Sequence, residues 1–152
     1  MNPYIQGNTT KLKVLLLASK NKAWQLVGTA QGMEKWFPKE CLGKIAKGEM
    51  IEFVWISGPP DKFKVLDVKE NEFWEMSWVE GAKVRYSIDK DNPVIFTLEA
   101  TYADNEKGKE TQLLEVAGWT FYLTNLKSIV MGGPDLRRKD STHSWKESFV
   151  DG

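Results

Sequence analysis

The chain has 152 residues, with 21 Lys and Arg balancing 21 Asp and Glu, one Cys, one His and seven Trp. That length suits a single domain, which removes roughly 70% of its unfolded surface from water and holds a core without staples. The balanced charge leaves no overall footprint for nucleic acid or an anionic membrane, a lone cysteine excludes an intramolecular disulfide, and a lone histidine argues against a zinc or haem site. The opening MNPYIQGNTT carries no basic and apolar leader, and no apolar run reaches membrane-spanning length. The expectation is a soluble cytoplasmic protein with no cofactor, no metal, no nucleic-acid partner and no membrane insertion.

Residues 1–10 are polar and read as a flexible arm. Lys11 to Ala18 is the first predicted strand, half exposed at its lysine end and apolar at the other. Ser19 can cap a short helix carrying Trp24 and Val27 on one face. Thr29 caps a second, with Met33, Trp36 and Phe37 at helical spacing before Pro38 stops it. From Cys41 to Ala117 the period changes to two, with turn signals at Lys47-Gly48, Gly58 to Asp61, Glu70-Asn71 and Asp104 to Gly108. Strands are predicted at 42–46, 49–57, 62–68, 72–79, 94–103 and 109–117, and Lys83 to Asp89 is ambiguous. Alternation turns Ile51, Phe53, Trp55, Phe63, Val65, Trp74, Met76, Trp78, Phe96, Leu98, Ala100, Leu114 and Val116 inward. Glu52, Lys64, Glu75, Ser77, Thr97, Glu99 and Glu115 turn to water.

Gly118 to Met131 is the one long helical pattern, roughly 20 Å of helix. Trp119, Tyr122, Leu123, Leu126, Ile129 and Val130 gather on one stripe, and Gly132-Gly133-Pro134 supplies a stop. An antiparallel sheet with one wet face must bury the other, and this stripe is the matching cover. The predicted fold is therefore α+β: an antiparallel sheet of about six to seven strands, two short helices after the first strand, and one long C-terminal helix over the sheet. The domain runs from 11 to 139. Residues 140–152 form a tail without an apolar stripe, expected to be mobile and dispensable for stability.

This order resembles the helix-grip fold of the START and birch-pollen-allergen superfamily, SRPBCC. At the residue level it is similar to one branch, the homologues of the activator of the heat-shock-protein ATPase (Aha-type). The similar residues are Trp24 to Phe37 for an early W…W-F segment, Gly48 for a glycine-bounded hairpin, and Gly118, Trp119, Leu123, Leu126 and Lys127 for the closing helix. The resemblance covers about residues 11–139 and departs at Glu80 to Pro93, an added excursion, and in the tail after Asp140. It implies a curved sheet gripping the last helix around an apolar cavity, and a chaperone as a conceivable partner.

Chemistry-bearing motifs are sparse. His143 lies in a polar tail without a nucleophile beside it, and Cys41 reads as a buried structural thiol. Gly132-Gly133 follows a helix instead of opening one, so it is no phosphate loop. Asp135 to Asp140 is locally basic but flanked by aspartates, and reads as a solvated helix terminus. The aromatic inward set is more informative, as either a solid core or the wall of a ligand cavity. The candidate ligand-binding residues are Trp36, Phe53, Trp55, Trp74, Met76, Trp78, Phe96, Leu98, Trp119, Tyr122, Leu123 and Leu126. The expected function is binding of a hydrophobic small molecule or lipid between the sheet and the last helix. A protein-interaction module is the alternative. An enzyme of the cyclase kind would draw on Glu75, Asp67, Arg85, Tyr86, Tyr102 or Tyr122, but no paired carboxylates fall inside, so the reading leans away from catalysis.

Overall fold

The computed structural model describes residues Met1 to Gly152. Its strands are β1 (Ile5–Gln6), β2 (Thr9–Leu16), β3 (Glu40–Gly43), β4 (Met50–Val54), β5 (Asp61–Lys69), β6 (Phe73–Ser77), β7 (Lys83–Asp89) and β8 (Val94–Thr101). The helices are α1 (Lys20–Val27), α2 (Ala30–Met33) and α3 (Glu106–Val130). One curved antiparallel sheet runs in the order β1-β2-β8-β7-β6-β5-β4-β3, so the first long strand sits beside the last. The sheet has eight strands, more than the six to seven expected.

Relative to the expectation, two strands are gained and one is lost. Ile5 pairs with Thr10 across a tight turn, so the sheet already begins inside the segment read as an arm. Lys83–Asp89, read as ambiguous and within an excursion, is a central strand paired with both β6 and β8. A strand buried between two neighbours is specified by its pairing partners, which its own short alternation does not reveal.

The stretch 109–117, expected as a strand, is instead the front half of α3, which extends over 25 residues, roughly 37 Å. Asn105 caps it, its side chain accepting from the Gly108 amide at 2.8 Å. The face that this half presents to the protein is polar: Thr111, Gln112 and Glu115 point inward, and Gln112 donates to the Thr10 hydroxyl at 3.2 Å. Leu113 and Leu114 lie on the solvent side, 69% and 53% exposed. The apolar periodicity therefore runs opposite to the packing, and Leu114, expected inward, is out.

Ser19 and Thr29 do cap α1 and α2, accepting from Lys22 and Gly32 amides. Gly32 lets the two short helices touch, since a Cβ there would stand 1.8 Å from the Gln25 carbonyl oxygen. Helix α2 ends at Met33, so Trp36 and Phe37 sit in the turn beyond it. Two indoles lock α1 to the body, Trp36 Nε1 donating to the Leu26 carbonyl at 2.8 Å and Trp74 Nε1 to the Val27 carbonyl at 2.5 Å. These carbonyls are ones that a helix end leaves without partners. A single cluster of 30 buried residues fills the space between the sheet and the helices.

Beyond α3 the chain is anchored. Asn125, which is not one of the apolar stripe residues, is buried, donates to the Trp36 carbonyl at 3.0 Å and accepts from the Leu136 amide at 2.7 Å. Arg137, expected in a solvated terminus, is buried. It donates to the carbonyls of Phe37 (3.1 Å), Pro38 (2.6 Å) and Glu34 (2.8 Å), and pairs with Asp135 at 2.8 Å. The tail turns back so that the Arg138 amide meets the Asp151 carbonyl at 2.9 Å and its guanidinium meets Gly152 and Asp151, while Trp145 stays 58% exposed.

Candidate functional site

Inward alternation on β4 to β8 brings the candidate residues to one side of the sheet. Phe53, Trp74, Met76, Phe96 and Leu98 are fully buried, as is Trp36; Leu126 joins them from α3, with Trp119 and Leu123 nearly so. Trp55, Trp78 and Tyr122 pack against this core but remain partly exposed, forming one edge of it.

The ring at the centre of that edge was not among the candidates. Phe37 lies with its centroid 4.5 Å from Tyr122, 5.5 Å from Trp119, 5.5 Å from Phe53 and 5.5 Å from Trp55. It is a wedge between sheet and helix. Trp78 completes the wall, 4.6 Å from Phe63 and 5.2 Å from Trp119. The helical spacing of Met33, Trp36 and Phe37 was a sequence signal for inward packing, but not for this bridging place.

A polar chain crosses the aromatic wall. Trp119 Nε1 donates to the Tyr102 hydroxyl at 2.9 Å, that hydroxyl donates to Glu115 Oε1 at 2.7 Å, and Trp78 Nε1 donates to Glu115 Oε2 at 3.0 Å. Burial pushes the Glu115 carboxyl above its ordinary range, against the pull of the Tyr102 and Trp78 hydrogen bonds. Burial likewise pushes Tyr102 up, with the Glu115 charge adding to it. Glu115 had been assigned to an outer strand face, and only the helix turns it inward.

Tyr86 is fully buried on β7, its ring 5.0 Å from Trp74 and 6.0 Å from Phe96. Its hydroxyl has no hydrogen-bond partner in the protein. Burial first, with Cys41, Glu115 and Tyr102 nearby acting in the same direction, holds it in the neutral form. Among the other groups considered for chemistry, Glu75 is paired with Arg85 at 3.2 Å and Lys83 at 3.8 Å. Asp67 is 3.9 Å from Lys47. Cys41 is buried and free, its thiol pushed up to about 12 by burial and by Glu34, which makes it inert rather than nucleophilic. His143 stands between Asp140 and Glu147 in the tail, away from any nucleophile. No group of three or more His, Cys, Asp or Glu side chains is arranged to hold a metal ion.

Two surface depressions, of about 340 and 400 Å³, are lined by Gly28 to Gln31 with Gly43 to Ile45, and by Lys39, Ile56, Arg137, Lys139 and Ser141. Neither includes a candidate residue. No helix is long and apolar enough to cross a membrane.

At the level of sequence, no protein family matches the chain and no curated protein does. Solved structures do match in fold. The Aha1 protein of Colwellia psychrerythraea, solved as a dimer, superposes with a TM-score of 0.64 at 19% identity, over 80% of this chain and 95% of that one. CalU16 of Micromonospora echinospora gives 0.65 at 20% identity, over 83% and 76%. DynU16, a protein of the dynemicin biosynthetic locus, gives 0.75 at 17% identity, over 88% of this chain and 51% of its own. At such identities the likeness is one of fold: a sheet closed by a long C-terminal helix, as the resemblance implied.

Proposed function

We propose that this protein binds a hydrophobic small molecule or lipid between its sheet and its C-terminal helix, entering at the edge formed by Trp55, Trp78 and Tyr122. The observation that carries this is the Tyr86 hydroxyl, fully buried among the candidate residues with no partner in the protein. Leaving such a group unpaired costs about 1–3 kcal/mol, and proteins rarely tolerate this without a reason. A guest with an apolar body and a polar group would offset that cost. An aromatic wall with a few convergent polar groups of shifted acidity is the usual form of such a site. The fold shared with a protein of the dynemicin biosynthetic locus supports the same reading.

Native mass spectrometry of protein freshly purified from cells, then incubated with a lipid and aromatic-metabolite panel, is expected to show a stoichiometric adduct. Leu123→Trp, which enlarges a side chain of the closing helix where it meets the sheet, is expected to abolish uptake of an apolar fluorescent probe with little change in stability. No uptake by the wild type, together with a loss of about 1–3 kcal/mol in Leu123→Trp from overcrowding, overturns the proposal. A second reading, a protein-interaction module with a chaperone partner, is supported by the fold likeness to Aha1. Its test is a pulldown of the chaperone with the purified chain.

A further inference from the structure

Glu115 differs from Asp135, Glu75 and Asp151, the acidic groups that are drawn into the structure by cations. Asp135 faces Arg137 and Lys139, Glu75 faces Arg85 and Lys83, and Asp151 faces Arg138. Glu115 takes part in no ion pair at all. Its only partners are neutral donors, the Trp78 indole and the Tyr102 hydroxyl, the latter itself receiving the Trp119 indole. All these dipoles point toward the carboxylate, an arrangement that favours a negative charge and supplies no positive one. The neighbouring indoles, Trp78 and Trp119, lie 5.2 Å apart at 45°. Their faces attract cations through the ring quadrupole.

The position is also reachable. Glu115 and Trp78 are both partly exposed, at the edge where Trp55 and Tyr122 are too. At the same edge Trp55 Nε1 donates to Asp61 at 2.7 Å, and Asp61 is likewise in no ion pair. The unpartnered Tyr86 hydroxyl belongs to the same core, and the Glu115 charge is one of those acting on it. The site thus combines an apolar interior, an orphan hydroxyl and a carboxylate that lacks a counter-ion.

Resting on the binding function proposed above, we infer that the ligand is a hydrophobic amine, its apolar body against the aromatic core and its ammonium received by Glu115 beside the Trp78 and Trp119 rings. A partly buried carboxylate held by neutral donors gains most from a cation that arrives desolvated, and an ammonium on an apolar skeleton is such a cation. A neutral lipid or an acidic metabolite would leave that charge uncompensated or opposed.

The test compares 2-(1-naphthyl)ethylamine with 2-(1-naphthyl)ethanol, probes of one skeleton that differ in charge, by titration calorimetry and native mass spectrometry. The wild type is expected to bind the amine roughly tenfold or more tightly than the alcohol, the range of a charge-assisted hydrogen bond. Glu115→Gln, of nearly the same shape, is expected to keep alcohol binding and lose the preference. If the wild type binds both probes equally, the amine inference is overturned while the binding function stands. Where neither probe nor any member of the wider panel binds, both fall together. A preference that survives in folded Glu115→Gln also overturns the assignment, and the wild-type ratio decides the matter even if that variant fails to fold.

Discussion

Arg137→Met tests whether the segment after the closing helix is part of the folded body. The guanidinium is buried and reaches three carbonyl oxygens of the 34–38 turn at 2.6 to 3.1 Å, besides Asp135. Methionine keeps much of the apolar stem but removes every donor. The Glu34, Phe37 and Pro38 carbonyls would lose a partner, and Asp135 would keep only Lys139, Asn125 and the backbone amide of residue 137. Removing one member of a buried pair costs about 3–5 kcal/mol, because the groups left behind are desolvated without compensation. That is a large part of a total stability of about 5–15 kcal/mol. For a domain of this size it corresponds to a fall in Tm of roughly 6–20 °C. Calorimetric and denaturant melts, the latter with an unchanged m-value, would measure it. A loss below about 1 kcal/mol would show that Arg137 is solvated and that the fold ends with the helix, refuting the reasoning.

Three further outcomes follow from the core and its charges. Leu126→Ala, at a side chain with no exposure, should cost about 2–5 kcal/mol in urea melts, and a cost well below that would mean it borders open space. Tyr86→Phe should leave the unliganded protein as stable or more stable, because it removes a buried hydroxyl without a partner, and a loss beyond 1 kcal/mol would show that the hydroxyl is satisfied. Two of the shifted carboxyls, Asp135 and Glu115, should act in opposite directions with pH. Burial raises Asp135, but hydrogen bonds from Arg137 and Lys139 outweigh it and hold the carboxyl well below the ordinary range, so its stabilisation is present above the ordinary carboxylate value and lost as pH falls below it. Glu115 is raised by burial, so its contribution is present below the ordinary value and lost as pH rises through the elevated one. Stability-against-pH curves of Asp135→Asn and Glu115→Gln should each flatten the corresponding slope, and unchanged curves would refute both assignments.

The sequence by itself determined the sheet's two faces. Alternation has a period of two, so each long strand states which side packs; Phe53, Trp74, Met76, Phe96 and Leu98 were legible as inward for that reason, and all are buried. The caps Ser19 and Thr29 were legible too, because capping is a contact of a few residues along the chain. The second half of α3 was visible where its inward stripe is apolar. Its first half was not, because the residues it turns inward are polar: Thr111 is buried with its hydroxyl on the Lys107 carbonyl, while Gln112 and Glu115 meet Thr10, Tyr102 and Trp78, which come from distant strands or their ends. Periodicity of hydrophobicity reports burial only when what is buried is apolar. Arg137 was hidden by the same physics: a basic run looks solvated until acceptors 99 to 103 residues earlier are brought to it. The carboxylate of Glu115 without a counter-ion, the orphan hydroxyl of Tyr86 and the wedge of Phe37 are likewise products of tertiary contact, since partnership and its lack are properties of neighbours in space and not of neighbours in the chain.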